Sequence, residues 1–243
     1  GLALQVSMTV NQFVTNFMTA MNPQITKSYA SGDHGYMMSL VFRGSRFSLY
    51  LLFLIAFPIL FNTHYLLDLW QGNVPAHTVQ FVQLALIFTM IEAISYPLVT
   101  AMMATGNIKR YQIVVGGLQC LNLPFAFLAL WAGGNPEWVY VVAIGVAVLS
   151  LFARIGLLKG MIGLNIRSFL GKVLFKILLV AALAVPLPLF LSLRLEEGFW
   201  NMVLICLVTE LVTGTIIWFV GMRKDERRFL VEDLKEKWGR KSI

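Results

Sequence analysis

Seven stretches of this 243-residue chain are apolar and long enough to leave water, which restricts it to very few architectures. They cover residues 2–21, 47–67, 78–104, 111–131, 138–158, 173–193 and 199–221. About 20 helical residues, each rising about 1.5 Å, cross a hydrocarbon core roughly 30 Å thick, and most of the stretches reach that length. In lipid a spanning segment must satisfy its own backbone, and at this length it does so as helix. The sequence therefore predicts an all-α polytopic membrane bundle of about seven transmembrane helices over residues 1–221, with a charged amphipathic tail over 222–243. Composition agrees: 58% of residues are apolar and 13% charged, about half the charge of a soluble domain.

The few charges are sorted. Of the 19 Lys and Arg residues, only Arg194 falls in an even-numbered connection. Lys27, Arg43 and Arg46 surround the first connection, Lys109 and Arg110 the third, and Arg154, Lys159, Arg167, Lys172 and Lys176 the fifth. The others follow Met222. Short basic loops stay in the cytoplasm, so the expected N-terminus is external and the C-terminus cytoplasmic. Juxtamembrane cations facing anionic lipid account for the net charge of +7 without nucleic acid. Residues 1–24 carry no charge, so the basic start of a signal peptide is missing. The first residue is Gly rather than Met, and the expectation is a piece of a longer protein.

The first span is the most polar. Gln5, Ser7, Thr9, Asn11, Gln12, Thr15, Asn16 and Thr19 gather on about half of a helix at 100° per residue, with Val6, Val10, Val14 and Phe17 among the rest. Such a face suits either interhelical hydrogen bonds or a water-filled cavity, and the number of uncharged polar groups favours the cavity. Asn11, Gln12, Thr15, Asn16 and Thr19 are the candidate lining residues. Pro58, Pro97, Pro124, Pro186 and Pro188 lie within spans and are expected to kink them.

Glu92, midway along the third span, is the candidate ion-coupling carboxylate, with Thr89, Ser95, Tyr96 and Thr100 on its broad face. Glu210 in the seventh span reads as structural, within possible reach of Lys176. Arg43 and Arg46 at the mouth of the second span suit either a phosphate-bearing substrate or simple snorkelling. Arg154 is expected to snorkel about one turn from its helix end. Cys120 and Cys206 read as apolar core residues, and His34, His64 and His77 as solvated, without metal-ligand spacing. There is no GxxxxGK[ST], HExxH or GxSxG motif. The expectation is a protein that is not an enzyme, with no catalytic residue, metal or cofactor.

The stretch Pro23-Gln24-Ile25-Thr26-Lys27-Ser28-Tyr29-Ala30-Ser31-Gly32-Asp33 resembles the loop after the eighth helix of bacterial polysaccharide flippases, which belong to the multidrug/oligosaccharidyl-lipid/polysaccharide exporter superfamily. Pro23 would end a helix there and Gly32 permit a turn. Ala104-Thr105-Gly106-Asn107-Ile108-Lys109-Arg110-Tyr111 looks like the loop after their tenth helix, and Asn122-Leu123-Pro124 is similar to a further family habit. The resemblance implies helices eight to fourteen of a fourteen-helix, two-lobe transporter: a C-terminal lobe plus two extra helices, with the N-terminal lobe as partner. It further implies a flippase of the bacterial inner membrane, moving undecaprenyl-diphosphate-linked oligosaccharide by alternating access for O-antigen, lipopolysaccharide or other surface polysaccharide synthesis. The first span's amides and hydroxyls would meet sugar hydroxyls. Diphosphate binding would fall to Arg43 and Arg46 or to the other lobe. A drug or small-solute exporter of the same superfamily is the nearest alternative. A polysaccharide polymerase or ligase is disfavoured by the short external connections, and a non-transporting scaffold would have no cavity.

Overall fold

The computed structural model describes residues 1–72, 74–228 and 231–232. It is helical, and no strand occurs among the described residues. Helix α1 (Leu2–Ala30) is followed by α2 (His34–Phe61), a short α3 (Thr63–Gln71) and α4 (Thr78–Ala104). Helices α5 (Lys109–Cys120) and α6 (Asn122–Trp131) together form one span, and α7 (Trp138–Ile162) follows. Next, α8 (Ile166–Phe169) runs through a π-helical turn, Leu170–Leu174, into α9 (Phe175–Ala184) and α10 (Pro186–Arg194). The last is α11 (Phe199–Ile216), ending in a second π-helical turn at Ile217–Gly221. Six spans are long and apolar enough to cross a membrane. The protein is a multi-pass membrane protein. The more polar α1 lies along α2 and α4 at nearly their length, with 29 residues against 28 and 27.

The first connection differs from its expected form. Pro23 does not end α1, which continues to Ala30, and only residues 31–33 form the turn. A proline can sit inside a membrane helix when neighbouring protein supports the loosened ladder, and Ile25 and Ser28 beyond it are buried against the bundle. Helix α2 then begins at His34 rather than near residue 47, with the Asp33 carboxylate accepting the Tyr36 N–H at 2.9 Å as an N-cap. Arg43 and Arg46 therefore lie inside α2, three turns from its start, and not at its mouth. Of the prolines, Pro58 and Pro97 sit within continuous helices, Pro124 follows the α5–α6 break, and Pro186 opens α10. In the tail, residues 224–228 and 231–232 are helical. The expected apolar stripe of Phe229, Leu230, Leu234 and Trp238 lies outside the described residues.

Helix α4 packs along α1, α2 and α7, while α5 and α6 lie on the outer side of α7. Helices α9 and α11 form a second layer beside α2. Leu52, Leu86, Leu98 and Phe169 are fully enclosed. The outward side chains are apolar as well: Leu123 is 82% exposed and Trp131 79%. In water these would be unfavourable, but lipid is as apolar as they are.

Polar side-chain contacts show which connections share an end of the bundle. His64 after α2 meets Glu197 before α11 at 2.9 Å, and His77 before α4 meets Glu137 before α7 at 2.5 Å. Both histidines keep the exposed positions in connections that the sequence predicts. His77 holds a left-handed backbone, φ 67°, uncommon outside glycine. The Glu137 carboxyl lies below its usual range, through its own backbone N–H and then His77. The even-numbered connections thus meet at one end. Arg46 and Glu226 join α2 to the tail at the other. The alternation read from the charges is present in the fold.

At Gly44, α2 packs closely against α1 and α4. A Cβ there would lie 2.9 Å from Pro97 Cγ and 3.3 Å from Met21 Cε. Gly44→Ala is expected to cost about 1–3 kcal/mol by forcing α1, α2 and α4 apart. Gly145→Ala, with open space at its Cβ, should be neutral or gain up to about 1 kcal/mol. Thermal unfolding of both variants in one detergent checks the contrast.

Candidate functional site

The polar residues of α1 divide between two surroundings. At 100° per residue, Val10, Val14, Met18, Met21 and Ile25 form one arc, and all are buried. Gln5, Thr9, Gln12, Thr15, Asn16 and Thr19 fill the opposite arc, and all are exposed. The result is an uncharged polar stripe, flanked by Leu4 and Phe13, that faces away from every described helix. Asn11 lies at its edge and turns inward, where its Oδ1 accepts the Tyr96 hydroxyl of α4 at 2.9 Å. It acts as interhelical glue, whereas Gln12, Thr15, Asn16 and Thr19 are exposed on the outer face of α1.

Hydrogen bonding limits what the stripe can offer. Thr9, Thr15 and Thr19 each donate their hydroxyl proton to the carbonyl four residues back, at 2.9–3.1 Å. Their oxygens remain as acceptors. Gln12 Nε2 donates to Asn16 Oδ1 at 3.0 Å, which leaves the Gln5 and Asn16 amides and the second Gln12 proton as the stripe's donors. The surface is acceptor-rich and carries no charge.

Beside the edge of the stripe marked by Leu4 and Asn11, Glu92 on α4 lines a cleft of about 300 Å³ between α1, α4, α5 and α7. Ser7, Asn11, Thr89, Tyr96, Gln119 and Tyr140 supply its polar lining, and Leu4, Met8 and Phe88 its apolar walls. Glu92 Oε1 stands 3.4 Å from Arg154 Nη1, which also donates to Ser95 Oγ at 2.8 Å. Arg154 does not snorkel. Helix α7 continues to Ile162, so Arg154 lies two turns from its end and is 2% exposed. An arginine at that depth needs a carboxylate, and Glu92 supplies it while keeping 19% of its side chain exposed to the cleft. Glu210 is exposed on α11 and makes no ion pair among the described residues, with Lys176 or otherwise.

Arg43 and Arg46 are not brought to the α1 stripe. Arg46 lies two residues beyond Gly44, hence about 200° round α2 from the contact with α1 and α4. It is 3% exposed, donates to the Lys172 carbonyl at 3.1 Å and pairs with the Glu226 carboxylate. Arg43 Nε stands 3.5 Å from the same carboxylate and remains half-exposed. Arg46 as a substrate-attracting residue at an open mouth is therefore corrected: the tail covers it. Among the described residues, no group of three His, Cys, Asp or Glu side chains converges to hold a metal ion.

Asn22, Arg154 and Glu226 have roles that sequence reading missed. Asn22 accepts the Thr100 hydroxyl at 2.8 Å, repeating the Asn11–Tyr96 contact three turns on. The eleven-residue spacing signals it once α1 is allowed to run through Pro23. Nothing in the spacing of Glu226 points to Arg46, 180 residues earlier.

If Glu92 and Arg154 form a real pair, each single neutral variant leaves an uncompensated group in a membrane interior. Glu92→Gln and Arg154→Gln are each expected to cost about 3 kcal/mol, the lower end for a buried pair because Glu92 keeps some exposure. The double variant should lose clearly less than the sum. Detergent-solubilised thermal unfolding of the four proteins measures the coupling, and additive losses would show that the 3.4 Å contact carries none. Compared with known proteins, the chain matches no family model, no curated protein and no solved structure.

Proposed function

We propose that this chain is the cavity-forming part of an alternating-access transporter, and that its substrate is a lipid-linked oligosaccharide. One observation carries the reading: α1 exposes a continuous stripe of uncharged polar residues on the outside of a bundle whose other outward surfaces are mostly apolar. Lipid would leave the spare amide protons of Gln5, Gln12 and Asn16 without acceptors, at a cost of several kcal/mol each. A second helical lobe set against α1 turns the stripe into the wall of an aqueous cavity. In this reading that lobe belongs to the same protein, as the resemblance to polysaccharide flippases implies.

Sugar hydroxyls suit the stripe because they donate to the threonine oxygens and accept from the Asn16 and Gln12 amides. Absence of charge suits an uncharged glycan better than an ionic solute. The bilayer is the bacterial inner membrane, with the basic end of the bundle in the cytoplasm by the positive-inside rule. Glu92 is the coupling residue of this proposal: it pairs with Arg154 at 3.4 Å, and its exposure to the cleft lets an ion reach it. A small-solute exporter is the second reading. It is favoured by the cleft itself, where a carboxylate stands beside Tyr96, Phe88 and Tyr140, a lining suited to an organic cation.

The cavity assignment is tested in the full-length protein with Cys120 and Cys206 replaced. Gln12→Cys, Asn16→Cys and Thr19→Cys are expected to react with a membrane-impermeant thiol reagent. Val14→Cys, on the buried arc, and Leu123→Cys, on the lipid side, should not. Protection of all three stripe positions in both inward- and outward-facing states would refute the cavity. Transport assays then separate the substrates: uptake of an organic cation that Glu92→Gln abolishes favours the exporter, and rescue of surface glycan in a flippase-deficient strain favours the flippase.

A further inference from the structure

The side of α2 turned away from α1 carries a second site. Arg46 stands at its centre, and around the Arg46–Glu226 pair gather Arg43, Lys176, Arg223 and Arg227. Glu226 is 6% exposed, and both its oxygens are engaged: Oε1 by Arg46 and Arg43, Oε2 by the Arg223 backbone N–H at 2.8 Å. Asp225 is exposed and stands 3.9 Å from Arg223. Among the described residues the cations outnumber the acids. Two of their donors, Arg46 Nε and Arg227 Nε, are buried without an acceptor.

Depth and shape narrow the ligand. The cluster lies at the basic end of the bundle, where α2, the first π-helical turn and the tail meet. Its rim is open, with the Arg43 side chain 44% exposed and that of Arg223 58%. Arg46, Leu49 and Phe53 share one face of α2, and Leu49 and Phe53 line a mostly apolar cleft of about 490 Å³ between α2, α4 and α9–α10. A cationic cluster centred one turn from an apolar cleft fits a molecule with an anionic head and a hydrocarbon chain.

We propose that this cluster binds the anionic headgroup of a membrane glycerophospholipid, with an acyl chain in the adjoining cleft. The phosphate takes the charge that Glu226 alone does not balance. Because it rests on the far side of α2 from the α1 stripe, this site is independent of what the protein transports.

The test uses the full-length protein in detergent and native mass spectrometry, with phosphatidylglycerol and phosphatidylcholine as probes. Phosphatidylglycerol should be retained in preference to phosphatidylcholine. Arg43→Gln and Arg223→Gln should each weaken that retention roughly five-fold, as expected for one surface cation facing anionic lipid. Both residues are on the exposed rim, so lipid-free thermal unfolding of the double variant should match the wild type. Should the double variant fail to fold, Arg43→Gln alone is read against the same five-fold change. Equal retention of the two lipids would overturn the proposal, as would undiminished phosphatidylglycerol binding in the folded variants. So would displacement of the lipid by millimolar inorganic phosphate, which would identify a site for free anions.

Discussion

In hydrocarbon a polar group is satisfied inside the protein or not at all, and α4 is where this chain gathers the partners. Tyr96 and Thr100 donate to Asn11 and Asn22 of α1. The carbonyl of Ile94, just before Pro97, accepts the Ser45 hydroxyl of α2 at 2.9 Å. Ser95 and Glu92 receive Arg154 of α7. Interhelical hydrogen bonds in membranes contribute only about 0.6 kcal/mol on average. Their leverage lies in register: sliding α7 by one turn would leave Arg154 buried without Ser95 or Glu92. The packing of Leu86, Leu98 and Ala101 supplies contact area, and the polar spine of α4 selects one arrangement of it.

The two buried arginines show one device in two states. Arg46 and Arg154 are 3% and 2% exposed, and each holds one carboxylate and one further oxygen acceptor. Their carboxylates differ. The Glu226 side chain is 5% exposed and takes a backbone N–H on its second oxygen, so the pair is sealed. Glu92 keeps 19% exposure toward a cleft, and its contact with Arg154 is long, at 3.4 Å. A sealed pair fixes the tail and the first π-helical turn onto α2. An open pair can exchange partners with a proton or a solute, and this exposure difference is what marks Glu92 rather than Glu226 as the candidate for coupling.

Much of this was legible in the sequence, because hydropathy and charge are summed along the chain and need no partner. The spans over 78–104 and 199–221 have the boundaries that hydropathy assigns. The polar arc of α1 likewise follows from helical periodicity alone. Boundaries set by context were not legible. Pro23 reads as a stop until Ile25 and Ser28 are seen packed beyond it, and Arg43 with Arg46 looks like a loop boundary until Asp33 is seen capping α2. Least legible were the long-range pairings, Arg46 with Glu226 and Arg154 with Glu92. A single sequence records the residue types of an ion pair without recording which of them meet.

Placing Arg46 under the tail also changes what the cavity can do. A diphosphate-linked glycan presents two chemistries, a neutral sugar chain and an anionic link. The α1 stripe suits the first: its threonine protons are committed to their own helix, its acceptors are many and its charges none. Such a surface holds hydroxyls weakly and in several orientations, which a carrier requires, since a substrate bound tightly in one state is not released in the other. The stripe has nothing for the second chemistry. Arg46 is enclosed on the far side of α2, and Arg154 is committed to Ser95 and Glu92. In the flippase reading the anionic link therefore falls to cations of the opposing lobe. On that reading the glycan would rest on α1, and the two lobes would bind different parts of one substrate.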